Sequence, residues 1–394
     1  MPHQRKRHLE QQIRKLSKFW PIIGVLGLRQ VGKSTLLRDR LHIENYLTLD
    51  DDDTRVEAET SSKTFIARNE LHPTVIDEVQ KVPKLFDAIK SHVDKKKRPG
   101  QWYLSGSVSF SNKIGIRESL TGRIGIMHLY PMTLSELRSY DLKIIEKRDF
   151  ILWNSIRFKT EDIAQQMQLG GLPVPAFIRD EEMRIQYWKS WVDTTLLRDT
   201  QKAYGRNFNP DICMSIVRML SRALLDGEYP SLDYVKKDKR IAKKYIQALE
   251  SIFFLRRISI HEYGTGKDYW IFGDSGLAYY LSNQTRGSNI TLSLARHFIL
   301  NEIFSLYEYN GQNLPHLYFK SQRGSIIDLV LGNMPIKIIN ETVSPTKIGW
   351  HERPILGAMK KLNSPIGLIV APVDYIHLPP KNKGIGIVPW SFWS

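Results

Sequence analysis

The chain has 394 residues, with 57 Lys and Arg against 41 Asp and Glu, a formal net charge of +16 and a single cysteine. That length predicts two to four domains, and 42% apolar with 25% charged residues excludes a disordered or membrane-embedded chain. The lone Cys213 excludes an intramolecular disulfide and a Cys-based zinc site and fits a reducing cytoplasm, while a charged N-terminus and short apolar runs predict neither a signal peptide nor a membrane span.

The positive charge is uneven. Residues 1–40 hold 10 basic and 2 acidic residues, and residues 201–270 hold 13 and 8. Such an excess fits a polyanionic partner and equally fits a solvated basic surface. Within the first of these segments, an apolar strand enters Gly27-Leu28-Arg29-Gln30-Val31-Gly32-Lys33-Ser34-Thr35 and an apolar-faced helix leaves it. Gly-x-x-x-x-Gly-Lys-Ser between strand and helix is a phosphate-binding loop. Its glycines let backbone N–H groups converge on phosphates, and the helix N-terminus adds its dipole. The expected roles are Lys33 on the β- and γ-phosphates of ATP and Ser34 on Mg²⁺.

The next strand runs through Tyr46 to Asp50, followed by mixed helix and loop. Thr74-Val-Ile-Asp77-Glu78 is a buried-strand pattern ending in two carboxylates, predicting Asp77 as a second Mg²⁺ holder and Glu78 as general base for water. The strand through Leu104 ends in Ser105 and Ser107, candidate γ-phosphate sensors. The segment from Ser119 to Arg123 precedes a fifth strand at 124–130, and Arg123, with Arg117 as competitor, is a candidate finger reaching a neighbouring subunit's phosphate. The spacing from Pro131 to Glu136 predicts a helix capping box.

From residue 151 the pattern is helical, interrupted by Pro173 and Pro175. Apolar stripes through Ile212–Leu224 and Ile241–Ile252 predict two helices with a short one between them. Two strand patterns around Gly264-Thr-Gly266 follow, giving a winged-helix-like order. Lys239, Arg240, Lys243 and Lys244 crowd the start of the second long helix, with Lys236, Lys237 and Arg256 flanking it. Lysines there predict phosphate contacts to double-stranded DNA with little base choice, whereas the same module also serves as a protein joint. Residues 290–394 alternate a helix with four strands.

These stretches together resemble the prokaryotic AAA-type P-loop ATPases that carry a C-terminal domain of unknown function. The resemblance rests on Gly27–Thr35, Leu49-Asp50-Asp51, Ile76–Pro83, Leu104–Ser107 and Ser119–Arg123. Gly170-Gly-Leu-Pro173, Trp191–Asp199 and Phe272–Ala278 extend it over nearly the whole chain. It implies an α/β fold with a P-loop NTPase sheet of the AAA type at 1–150, a helical and winged-helix-like domain at 151–275, and a small restriction-endonuclease-like α/β domain at 276–394. Active nucleases of that last type place Asp on one strand and Glu-x-Lys on the next. Here Asp328 is followed by Lys337-Ile338-Ile339, and Arg296 replaces an expected helix Glu, so nuclease chemistry is rejected; Glu341 lies beyond the expected strand. The resulting expectation is a cytoplasmic, Mg²⁺-dependent ATPase coupling nucleotide state to a DNA-associated module, with a protein partner at the C-terminal domain and a homo-oligomer as further expectations. The alternative is an ATP-gated switch on a protein partner without DNA.

Overall fold

Five short strands build the first sheet: β1 (Ile22–Leu26), β2 (Asn45–Thr48), β3 (Thr74–Asp77), β4 (Trp102–Gly106) and β5 (Ile124–His128). In this computed structural model, residues 5–109, 120–142, 144–147, 151–154, 158–235, 238–282, 292–379 and 383–394 are described. Arg117, Ser119, Lys236 and Lys237 lie outside the described residues. The five strands are parallel in the order β2-β3-β4-β1-β5. The central strand β1 is buried at every position, as expected of a parallel strand covered on both faces. Its alternation splits two cores: Ile22 and Leu26 join Phe65, Phe86 and Ile89, whereas Ile23 and Val25 join Leu9, Leu36 and Leu37.

Six helices connect or flank these strands: α1 (Leu9–Leu16), α2 (Thr35–Arg40), α3 (Asp52–Thr60), α4 (Ser62–Arg68), α5 (Lys84–Lys95) and the short α6 (Leu134–Leu137). Thr133 and Glu136 cap α6 reciprocally, the box expected from the sequence. Because all five strands run the same way, the residues following β1, β3 and β4 meet along one edge, where α/β sheets bind ligands.

The rest of the described chain begins with an antiparallel hairpin, β6 (Ile144–Lys147) and β7 (Ile151–Asn154). It continues with α7 (Thr160–Leu169), α8 (Glu181–Trp191), α9 (Leu197–Tyr204), α10 (Pro210–Leu225) and α11 (Lys239–Ser251). The strands β8 (Leu255–Ile260) and β9 (Tyr269–Phe272) then pair antiparallel. After α12 (Ser275–Leu281) and α13 (Leu292–Tyr309) come β10 (Leu317–Lys320), β11 (Ile326–Ile327), β12 (Leu329–Leu331) and β13 (Met334–Ile338). Helix α14 (Glu352–Lys361) precedes β14 (Ile366–Ala371) and β15 (Gly384–Pro389). Strand β8 also pairs parallel with β10, so one four-stranded sheet, β11-β10-β8-β9, spans the boundary drawn at 275/276. The last sheet is β12-β13-β14-β15, covered by Ile355 and Ala358 of α14 and by Leu362 just after it. Among the described residues, no helix is long and apolar enough to cross a membrane.

One buried carboxylate joins distant segments. Asp274, 1% exposed, accepts from the N–H groups of Gly171 (2.7 Å) and Leu172 (3.0 Å) and caps α12 through Leu277 N (2.9 Å). A Cβ at Gly170 would lie 2.2 Å from Asp274 Oδ1, and one at Gly171 would lie 2.2 Å from Met132 O, so both positions require glycine. Met132 N donates to Gly171 O (2.7 Å), completing a link from the first sheet's last connection to α12.

A second buried acid, Glu302 of α13, accepts from Leu134 N at 3.2 Å. Burial pushes its carboxyl up to about 8, against the opposing hydrogen bonds from Ser394 and Leu134 N. With the folded value above the unfolded one, folding is favoured below the unfolded carboxyl range. That contribution is lost as pH rises through about 8. Glu302→Gln removes this linkage. Its melting temperature minus that of the wild type should therefore rise from about pH 5 to about pH 9. Equal differences at the two pH values would contradict a proton-linked Glu302.

Candidate nucleotide site

The loop after β1 is shaped by three residues with positive φ: Gly27 (157°), Gln30 (63°) and Gly32 (100°). A Cβ at Gly27 would come within 2.4 Å of Leu129 O, where the loop runs against the end of β5. Leu28 and Val31 are buried anchors, so the loop is fastened by apolar side chains on either side of its tip. Lys33, 6% exposed, folds back to donate to Gly27 O (2.9 Å) and Leu28 O (3.1 Å). Burial pushes its ammonium below the usual lysine range, with Glu78 and Asp77 opposing that shift. Ser34 and Thr35 open α2, with the Ser34 hydroxyl turned toward β3.

Asp77 sits at the end of β3, 8% exposed. Its Oδ2 accepts from Ser34 Oγ at 3.2 Å and from Tyr46 OH, and its Oδ1 accepts from Ser105 Oγ and from Glu78 N at 3.1 Å. Burial first, and the Asp77 charge next, push the Tyr46 phenol far above its ordinary value, so Tyr46 is a permanent donor. Glu78 has φ 55°, a conformation rare for a non-glycine residue and concentrated at functional sites. Its Oε2 accepts from Gln80 Nε2 and from Ser107 Oγ at 3.0 Å. Ser105 and Ser107, expected as phosphate sensors, are thus placed on the two carboxylates.

Arg29 lies between acids from three parts of the chain. Its Nη2 is 3.7 Å from Asp50, and its Nη1 is 3.7 Å from both Glu78 and Asp199. Lys81 supports Asp50, so Lys81 and Arg29 outweigh the effect of burial and hold that carboxylate below its usual range. Tyr187 OH donates to Gln30 Oε1 at 2.6 Å, and Arg7 donates to Val31 O at 2.8 Å.

The oxygen set fits Mg²⁺. Ser34 and Asp77 supply one hydroxyl and one carboxylate side by side, and Mg²⁺ takes few protein ligands beside phosphate and water. Among the described residues, no group of three or more His, Cys, Asp or Glu side chains is arranged as a metal cage.

Other sequence-derived candidates lie elsewhere. Arg123 precedes β5 at the opposite end of the sheet from the loop and makes a two-pronged ion pair with Asp94 (2.6 and 2.9 Å). It therefore cannot reach phosphates held by its own chain. Lys239, Arg240, Lys243 and Lys244 are all exposed on the first turns of α11, with Lys244 Nζ 4.1 Å from the Tyr204 ring centroid. Arg256 corrects an expectation: instead of flanking α11, it donates to Tyr130 OH (2.5 Å) and lies over that ring. Asp328 is fully buried and paired with Arg296 at 2.6 Å; it also accepts from Tyr229 OH at 2.6 Å and Ile338 N at 2.7 Å. Lys337 donates to Ile326 O. Tyr46, Gln80, Tyr187 and Asp199 were missed as site residues. Two of them carried a sequence signal: Gln80 lies in the Ile76–Pro83 stretch and Asp199 ends the Trp191–Asp199 stretch.

Residues 20–138 match the family model described as an AAA domain. The chain is similar to an uncharacterized protein of Mycobacterium bovis and one of Mycobacterium tuberculosis, each 24% identical over 346 residues, 82% of this chain and 70% of theirs. Among solved structures it is similar to the Walker-type ATPase of Pyrococcus abyssi. The identity is 14%, the match covers 71% of this chain and 98% of that one, and the TM-score is 0.44. It is also similar to AMPPCP-bound DnaA from Aquifex aeolicus, at 13% identity, 61% and 85% coverage and a TM-score of 0.28. Residues 20–138, which contain the five-stranded sheet and its glycine-lysine-serine loop, match an AAA domain, and the chain beyond residue 138 lies outside that match.

Proposed function

We propose that the protein hydrolyses ATP to ADP and phosphate with Mg²⁺, and that nucleotide state is passed to a DNA-associated module around α11. The observation carrying this reading is the meeting of Ser34 and Asp77 at 3.2 Å, with Glu78 next along the chain. Backbone N–H groups of Gly27–Thr35 would cradle the phosphates, and Lys33 would leave the Gly27 and Leu28 carbonyls for the β- and γ-oxygens. Ser34 and Asp77 would hold Mg²⁺, which supplies charge neutralisation on the phosphates when bound. Glu78 accepts a proton from the attacking water as that water's oxygen bonds to the γ-phosphorus and the bond to the ADP oxygen breaks. Gln80 and Ser107 fix the Glu78 carboxylate for this task. Arg123 enters the reading only through a second copy of the chain, because it faces away from its own loop.

Glu78→Gln should keep affinity for ATP within a few-fold while slowing phosphate release by at least ~100-fold. Paired binding and turnover measurements check this, and normal turnover would remove Glu78 as the base.

The DNA part of the proposal rests on the element order α10, the short turn Leu232–Tyr234, α11 and the β8–β9 hairpin, with four exposed cations leading α11. A protein joint is favoured by a different observation. The β8–β9 connection is tied to β10 of the same sheet, with His261 N on Tyr318 O (2.8 Å) and Thr265 N on Lys320 O (2.8 Å), so the segment between the two strands is held by a later part of the chain. Electrophoretic shifts on random duplex at rising salt separate the two. Each phosphate contact contributes a slope of about −0.9, so Lys239→Glu with Lys243→Glu should flatten the logarithmic salt dependence by roughly two units. No binding at low salt would leave the ATP-gated protein switch.

A further inference from the structure

The tip of the phosphate loop is gripped by helices from beyond the matched AAA domain, at two successive residues. Tyr187 of α8 donates to Gln30 at 2.6 Å, and Asp199 of α9 faces Arg29 at 3.7 Å. Asp199 is 4% exposed, and its other oxygen accepts from Arg198 Nε at 3.1 Å. Arg29 itself is held loosely. Its three carboxylate contacts are each 3.7 Å, too long for the hydrogen bonds that make Arg–carboxylate forks strong. A terminal phosphate offers such a fork, with more charge than any one of these acids. Asp199 also adds negative charge close to Lys33, the residue that must meet the phosphates.

We infer that Arg29 is exchanged between Asp199 and the terminal phosphate, so that Asp199 is the positioning residue through which α9 registers an occupied site. This rests on the ATP reading above. In the empty loop Arg29 is shared by Asp199, Glu78 and Asp50. When a triphosphate takes Arg29 and Lys33, Asp199 keeps Arg198, which is on the same helix and moves with it. The phosphates repel the Asp199 carboxylate once Arg29 no longer stands between them, loosening α9, and α8 with it, against the loop. A carboxylate serving only to dock α9 would have neither consequence.

Two measurements on the full chain test this, with a fluorescent non-hydrolysable ATP analogue and Mg²⁺ as the probe. In the wild type, hydrogen exchange over residues 187–204 should quicken when the analogue binds. Asp199→Asn, which removes the competing charge at nearly constant shape, should bind the analogue about tenfold more tightly. It should also show fast exchange in this segment with or without it. Analogue binding with unchanged wild-type exchange would overturn the relay and leave the ATP reading standing. Affinity in Asp199→Asn that is unchanged or weaker would also overturn it, as a purely structural acid predicts. Failure of the wild type to bind the analogue would overturn the ATP reading, and this inference with it. The wild-type exchange comparison decides the question even if the variant does not fold.

Discussion

A carboxylate withdrawn from water must be met by hydrogen-bond donors, and Asp77 meets four from different parts of the first sheet. Ser34 comes from the loop after β1, Tyr46 from β2, Ser105 from β4, and the fourth donor is the N–H of Glu78. Removing any one leaves a buried charge less satisfied, so the edge of the sheet is held in register by its own electrostatics. The same contacts place the Ser34 hydroxyl against the carboxylate, which is the geometry a phosphate-bound cation needs. Fold and chemistry depend on one charge.

The site does not end at the matched domain. Asp199 from α9, Tyr187 from α8 and Arg7 from the N-terminal arm reach three successive loop residues, Arg29, Gln30 and Val31. Behind them, the Gly170–Asp274 contact fastens the helical segment to α12, and β8 passes the connection to β10. A change at the loop tip therefore meets a continuous packed body: one apolar core runs from Leu36 through Leu220 to Ile336.

The central strands were legible as short, largely apolar runs, β2 (Asn45–Thr48) from its place between the loop and β3, and the glycine-lysine-serine loop between strand and helix has few other readings. The Thr133–Glu136 cap was legible for the same local reason. What escaped was non-local. Tyr46 is a common residue type, and Gln80 was visible only as part of the Ile76–Pro83 stretch; the role of each appears when β2 and the turn after β3 fold against Asp77 and Glu78. Arg256 looked like a surface cation beside α11, but in the folded chain its guanidinium lies over the Tyr130 ring, a contact between residues 126 apart in sequence. The motifs at Gly170 and Asp274 were visible as separate patterns, and only the fold shows that each is the other's partner. Asp328 followed by Lys337 rather than Glu pointed away from a metal site, and the Arg296 pair supplies the counter-charge a cation would otherwise bring.

The central claim is that the Asp77 edge is a Mg²⁺–ATP site. Phosphate release by the full chain, measured with ATP and Mg²⁺ and repeated after chelation with EDTA, tests it most directly. The account predicts steady turnover that stops when the cation is removed and returns when it is restored. Turnover indifferent to EDTA, or none with Mg²⁺ present, would contradict it.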